Sequence, residues 1–168
     1  VIDWGDNVSA IYLADNPEQF KDTLIPGQRA IPTEGTILSK SISAGSIFSI
    51  GEFADTDFND KVAFWGEEIF IAAQSWTRGF DLLIPSIQQI FHLYYDSDSR
   101  MQKNARRHIW KDFPELFQAM DAESKAEIKT IFKENIIAKN ALGLERTLKE
   151  FEAYSGLDFT NGTITENC

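Results

Sequence analysis

A helical pattern of apolar residues runs from Glu67 to Arg78. Its apolar positions recur every three or four residues, at Ile69, Ala72, Ala73 and Trp76. Two glutamates at the start and an arginine in the last turn complement the helix dipole, and Gly79 is a typical residue just beyond a helix end. The pattern therefore predicts a helix over 67–78.

Shorter apolar runs in the first hundred residues predict strands. Segment 1–40 mixes such runs with turn residues, which indicates loops around one or two short strands. In segment 41–53, Ile and Phe recur among small residues, which predicts a strand, and Gly45 within it marks either a bulge or the close approach of a ligand. The apolar runs at 80–85 and 89–95 predict two buried strands.

The pattern changes after residue 100. Five of the twelve residues from Arg100 to Lys111 are basic, and a break is predicted at Asp112-Phe113-Pro114. Two or three amphipathic helices are predicted to follow, and the chain beyond Phe159 is expected to be frayed. Their apolar faces comprise Ile128, Ile131, Phe132 and Ile136, and then Leu144, Leu148 and Phe151, with Gly156 as the stop.

Composition and charge narrow the class of protein. With 168 residues and 43% hydrophobic residues, the chain can form one domain with a real core. The net charge of −10 has the wrong sign for binding nucleic acid. No apolar run is long enough for a membrane span, and the N-terminus lacks a signal-peptide pattern. A single cysteine, Cys168, suits a reducing compartment, so we expect a cytoplasmic location.

Carboxylates are the best candidates for catalysis. The motifs of phosphate loops, dinucleotide sites, zinc proteases and serine hydrolases are absent, and the only histidines are His92 and His108. Glu67 and Glu68 open the predicted helix directly after Phe64-Trp65-Gly66. Acids are common at helix starts, but the two aromatic residues could also form an apolar wall against a sugar. His92 is either a buried core histidine or a metal ligand.

Several blocks of sequence, taken in order, resemble a known family. They are Ser-Ile-Ser-Ala-Gly-Ser-Ile-Phe-Ser (41–49), Phe-Trp-Gly-Glu-Glu-Ile (64–69), Ser-Trp-Thr-Arg-Gly-Phe-Asp (75–81) with Pro85, and Ile-Phe-His-Leu-Tyr (90–94). The blocks are similar to the glycosyltransferases that add N-acetylglucosamine to hydroxyproline on a ubiquitin-ligase subunit. The resemblance covers about 36–112 and extends more weakly through Glu145-Arg146-Thr147 and 151–158.

The resemblance implies an α/β architecture of the GT-A type and a metal-dependent, retaining transfer from a UDP-sugar to a protein or glycan hydroxyl. The implied roles are donor contact by Ser43, Ala44 and Gly45, acceptor orientation by Glu67 and Glu68, and Mn²⁺ or Mg²⁺ binding by His92. Trp65 and Gly66 would shape the sugar pocket. Arg100 would begin a lid over the diphosphate, although its basic segment is equally typical of a solvated surface helix.

The resemblance leaves one part of the family pattern without a counterpart. An Asp-x-Asp motif should precede the glycine loop, whereas the strings at 55–57 and 96–98 follow it. We therefore expect 1–112 to be the C-terminal, acceptor-side portion of a GT-A-like domain with a mixed sheet. Residues 113–168 would be a helical extension packed on it, and the missing half would lie upstream or in a partner chain. The alternatives are a non-catalytic protein-interaction module and a helical adaptor formed by 113–158.

Overall fold

A computed structural model of the chain describes residues 8–14, 17–33, 37–38, 40, 51–64, 66–84 and 109–164. Within these ranges the protein has a mixed α/β structure that is rich in helix. The predictions that fall on 41–50 and 85–108 lie outside the described residues.

Helix α2 (Glu67–Thr77) confirms the helix predicted over 67–78. Its apolar face is buried in the core through Ile69, Phe70, Ala72 and Ala73. The helix ends as the sequence indicates, because Gly79 takes a left-handed φ of 87° and its N–H donates to the Trp76 carbonyl at 2.9 Å.

The N-terminal region contains the predicted short strands and one helix that the sequence pattern did not indicate. Strands β1 (Val8–Ala14) and β2 (Gly27–Thr33) pair in antiparallel register, with Val8 opposite Thr33. Helix α1 (Pro17–Thr23) connects them. Proline is typical of turns, but it is also well suited to the first position of a helix, and Pro17 occupies that position here.

Two strand predictions need correction. Residues 51–53, predicted as the end of a strand, belong to a 3-10 helix over Gly51–Asp55. The run at 80–85 contributes only a two-residue strand, β4 (Leu83–Ile84), which pairs with β3 (Ile37–Leu38). It is not a buried strand throughout, because the Leu83 side chain is 60% exposed.

The predicted chain break near residue 113 is confirmed. Helix α3 (Ile109–Asp112) ends there and helix α4 (Pro114–Glu134) begins with proline in its first turn. Helix α4 buries Ile128, Ile131 and Phe132 as predicted. Ile136 is partly buried but lies beyond the helix, which ends at Asn135 in a left-handed conformation.

Helix α5 (Leu148–Ser155) is held at both ends by local hydrogen bonds. Thr147 and Glu150 form a capping box, and Gly156 caps the C-terminus with a φ of 79°. The prediction for Leu144 was wrong, since it precedes the helix and is 78% exposed. The fraying expected beyond Phe159 is also wrong for the residues up to Ile164, because β5 (Leu157–Asp158) pairs with β6 (Thr163–Ile164).

Phe159 lies at the centre of the hydrophobic core. Its buried ring contacts Phe20 of α1 at 5.7 Å, Phe132 of α4 at 4.1 Å and Phe151 of α5 at 6.2 Å between ring centroids. The core thus draws side chains from both sides of residue 112, and the boundary predicted there stays a prediction. All pairings between the described strands are antiparallel.

Among the residues described, no helix combines the length and apolar character needed to cross a bilayer.

Candidate functional site

Gly66 fixes where helix α2 begins. It is the N-cap residue and has a left-handed φ of 91°. A Cβ atom at this position would lie 2.6 Å from Cδ1 of Ile25 and 2.6 Å from Cδ1 of Ile128. Only glycine combines this backbone conformation with so close an approach to α4 and to the residue that follows α1 by two positions. The first turn of α2 is therefore anchored directly on the core.

Glu67 and Glu68 form the first turn of α2, and both side chains are partly buried. Oε2 of Glu67 is buried and accepts no hydrogen bond from protein groups. Burial raises the pKa of Glu67 to about 7, a hydrogen bond from its own backbone N–H partly opposes this, and the Glu68 charge adds to it. Glu67 can therefore hold or release a proton near neutral pH, which is what a general acid or base requires.

An aromatic cluster of Phe64, Trp110 and Phe117 lies near this turn. The ring centroids are 5.1 Å apart for Phe64 and Trp110, 5.6 Å for Phe64 and Phe117, and 6.0 Å for Trp110 and Phe117. Phe64 is 47% exposed and Trp110 is 38% exposed. Sequence reasoning singled out Phe64 but neither Trp110 nor Phe117. The signal available for Trp110 was a large aromatic residue in a basic segment.

The other end of α2 is tied to the segment that precedes α5. The carbonyl oxygen of Thr77 accepts hydrogen bonds from the backbone N–H groups of Glu145 and Arg146, at 2.9 and 3.1 Å. The Thr77 hydroxyl accepts from Gly143 N–H at 2.8 Å. Two blocks that carry the family resemblance, 75–81 and 145–147, are therefore in direct contact, although more than sixty residues separate them in the chain.

Trp76 is covered on both faces. The Arg146 guanidinium lies 4.4 Å from the centroid of the indole on one side, and the Tyr154 ring stacks at 4.3 Å and 11°. Arg146 also pairs with Asp81 at 2.8 Å and donates to the Gly79 carbonyl at 3.0 Å. Because both faces of Trp76 are occupied, this cluster joins α2 to α5 and cannot offer the indole to a ligand.

Three predicted site residues, Gly66, Glu67 and Glu68, lie in the described part of the chain, where they form one turn. The structure does not describe the others, which are Ser43, Ala44, Gly45, Trp65, His92 and Arg100. Whether His92 faces the two glutamates thus stays a prediction.

The described residues alone do not provide a complete set of metal ligands. The unpartnered Oε2 of Glu67 is the kind of oxygen that Mg²⁺ and Mn²⁺ accept. However, the ranges that the structure describes contain no group of three His, Cys, Asp or Glu side chains placed to hold a metal ion. A metal site would therefore need ligands from elsewhere in the chain or from the substrate.

Comparison with known proteins identifies a family. A family model described as Glycosyltransferase (GlcNAc) matches residues 19–161, a range that begins within α1 and includes α2, α3, α4 and α5. No curated protein and no solved structure was found to be similar to the chain.

Proposed function

The chain belongs to the Glycosyltransferase (GlcNAc) family, and on that premise we propose that it transfers N-acetylglucosamine from UDP-N-acetylglucosamine to a hydroxyl group. The observation that carries the assignment of the active site is the carboxyl of Glu67. It is partly buried at a glycine-anchored helix start, one of its oxygens has no protein partner, and its pKa is raised to about 7.

In the proposed reaction, the bond between C1 of the sugar and the terminal phosphate oxygen of UDP breaks, and its electron pair leaves with UDP. The acceptor oxygen forms the new bond to C1 on the same face, so that the product keeps the α configuration of the donor. The Glu67 carboxylate takes up the hydroxyl proton, while Glu68 holds the acceptor by a second hydrogen bond.

The raised pKa suits Glu67 to this role. A carboxylate at its ordinary pKa is a weak base, whereas a base whose pKa lies near the working pH combines an adequate deprotonated fraction with a stronger pull on the proton. The physical cause is burial, with the neighbouring charge of Glu68 as a smaller contribution. We therefore expect turnover to increase as the pH rises through about 7.

Resemblance to the hydroxyproline-directed transferases supports the remaining parts of the proposal. His92 would bind Mn²⁺ or Mg²⁺, an ion that supplies charge neutralisation for the diphosphate when it is bound. Ser43, Ala44 and Gly45 would contact the donor, Trp65 and Gly66 would line the sugar pocket, and Arg100 would belong to a lid. We include in the proposal a partial GT-A fold over 1–112, a helical extension over 113–168, the need for an upstream or partner half, and a cytoplasmic location.

The proposal is tested with the full-length protein, Mn²⁺, UDP-N-acetylglucosamine and a hydroxyproline-containing peptide as acceptor probe. Glu67→Gln should lower turnover by about 100-fold or more, the usual contribution of a general base, and leave calorimetric UDP binding unchanged. Glu68→Gln should also lower turnover while donor binding is kept. Glu123→Gln, at an exposed carboxylate of α4, is the matched control and should change neither quantity.

Unchanged turnover in Glu67→Gln would remove this carboxyl from the mechanism. If the unmodified protein neither binds UDP with Mn²⁺ nor releases UDP from the donor, the chain is better described as the non-catalytic interaction module. The metal assignment is tested separately, since His92→Ala should weaken UDP binding only when Mn²⁺ is present.

A further inference from the structure

We propose that the aromatic cluster of Phe64, Trp110 and Phe117 is a binding platform for a pyranose ring, with Trp110 as a substrate-binding residue. The inference rests on the proposed function, which it deepens by naming where the sugar is held. Its main support is geometric: the three rings are in mutual contact, with centroids 5.1 to 6.0 Å apart, and Phe64 and Trp110 are also exposed.

Exposure distinguishes Phe64 and Trp110 from the aromatic residues of the core. Phe70 and Phe151, which serve the core, are 1% and 0% exposed. Phe64 and Trp110 instead leave 47% and 38% of their surface accessible, although they pack against each other. Large side chains that are grouped, ordered by ring contacts and still open to solvent are typical of ligand-binding surfaces.

The backbone holds the cluster in a defined position. Phe64 has a left-handed φ of 57°, a conformation that bulky residues seldom adopt and that surrounding structure must enforce. The preceding residue, Ala63, donates its N–H to the Ser124 hydroxyl of α4 at 3.1 Å. Phe117 N–H donates to the Phe113 carbonyl at 2.9 Å, so its ring stands on a regular first turn of α4. Because Phe64 and Phe117 are already held in place, binding a ligand would cost little conformational entropy in these residues.

The cluster is also close to the proposed acid pair. Phe64 and Glu67 are three positions apart in the chain, and consecutive Cα atoms are 3.8 Å apart, so their Cα atoms lie within about 11 Å. A pyranose has an apolar C–H face and a rim of hydroxyl groups. The rings would cover the apolar face, and the carboxyl groups of Glu67 and Glu68 would accept hydrogen bonds from the rim.

The same reasoning selects between the two described tryptophans. Both faces of Trp76 are covered, by Arg146 and Tyr154, whereas Trp110 is accessible. A sugar should therefore perturb the indole of Trp110 and leave that of Trp76 unaffected. This contrast provides an internal control within one protein sample.

The test uses full-length protein labelled with 5-fluorotryptophan and titrated with free N-acetylglucosamine, with the fluorine resonances assigned by single Trp→Phe variants. We expect the Trp110 resonance to shift with sugar concentration and the Trp76 resonance to stay in place. Trp110→Leu, which keeps apolar surface but removes the ring, should weaken binding about 3- to 10-fold, as for loss of an aromatic contact. Trp110→Phe should retain most of the affinity.

Leu116→Ala is the matched control, because Leu116 is also apolar, lies near the start of α4 and is 54% exposed. It should bind the sugar as the unmodified protein does. Near-ultraviolet circular dichroism checks that each variant is folded. The proposal is overturned if the Trp110 resonance does not respond to the sugar, if Trp110→Leu binds it equally well, or if a proline-rich peptide shifts the resonance and the sugar does not.

These outcomes are separable from those of the proposed function. Sugar binding at Trp110 without any transfer from UDP-N-acetylglucosamine would contradict the enzymatic proposal and leave the platform in place. Transfer that proceeds equally in Trp110→Leu, with no response of the Trp110 resonance, would contradict the platform alone.

Discussion

Replacing Glu67 by glutamine should stabilise the protein above neutral pH. In the folded chain, burial raises the pKa of this carboxyl from its ordinary value of 4.5 to about 7. The folded state then holds the proton more tightly than the unfolded state. The contribution of this carboxyl to the free energy of unfolding therefore falls as the pH rises from 4.5 to 7 and stays level above that. Glutamine is neutral at all these pH values and has nearly the same shape as the protonated acid.

The size of the effect follows from the shift. One pKa unit corresponds to about 1.36 kcal/mol, so the whole shift would cost about 3 kcal/mol above pH 7. The side chain is only partly buried, and solvent screening reduces the cost to about 1–2 kcal/mol. For a chain of this length, that corresponds to an increase of about 3–6 °C in Tm for the variant at pH 8.

Urea unfolding, followed by circular dichroism at several pH values from 5.5 to 8, measures this difference. The isoelectric point near 4.6 makes lower pH values unsuitable, because proteins are least soluble there. Over this range, the advantage of Glu67→Gln over the unmodified protein should grow by about 1 kcal/mol. Glu123→Gln, at an exposed site, should show no such trend.

A constant difference between Glu67→Gln and the unmodified protein across this pH range would refute the reasoning, as would a variant that is less stable at pH 8. The combination with activity is informative. A carboxyl kept for chemistry should yield a variant that is more stable and less active, whereas a structural carboxyl should yield a less stable one.

Three further substitutions test the packing of α2 and the N-cap of α5. Gly66→Ala should lower the free energy of unfolding by about 2–3 kcal/mol, because the new Cβ adds left-handed strain and meets Ile25 and Ile128; urea unfolding would show this, and an unchanged midpoint would contradict it. Arg146→Ala should lower the free energy of unfolding by about 1–2 kcal/mol through loss of the Trp76 stack and the Asp81 pair. Arg146→Lys should not restore this stability, because lysine lacks the planar fork of the guanidinium. Full recovery in the lysine variant would argue that charge alone is responsible. Thr147→Ala should lower the free energy of unfolding by about 1 kcal/mol through loss of the α5 capping box. Thr147→Ser, measured in the same thermal scan, should keep most of the stability of the unmodified protein, because serine has the same hydroxyl.

Local signals explain where prediction succeeded. Helix α2 and the break before Pro114 depend on neighbours in the sequence: apolar spacing, a glycine stop and a proline at a helix start. Helix α5 similarly ends at Gly156, as predicted. Helix α1 was missed because a seven-residue segment contains too few apolar repeats to be distinguished from a loop.

The candidate site divides in the same way. The acid pair of Glu67 and Glu68 was proposed from its sequence context. The chain's membership of a glycosyltransferase family agrees with the resemblance that the ordered blocks suggested. The raised pKa of Glu67 was not predictable, because it arises from burial of the side chain in the folded protein. The aromatic cluster has the same origin, since Trp110 and Phe117 meet Phe64 only after folding.

The amino-acid sequence by itself indicated helices α2, α4 and α5 and the residue types that can do chemistry, because spacing, caps and side-chain character act over a few neighbouring residues. Tertiary structure decided how those residues behave. It pressed Gly66 between Ile25 and Ile128, removed water from one oxygen of Glu67, and covered Trp76 while leaving Trp110 accessible. The physical reason is that burial and contact depend on what lies nearby in space, and residues forty or more positions apart in the chain leave no local sequence signal of their contact.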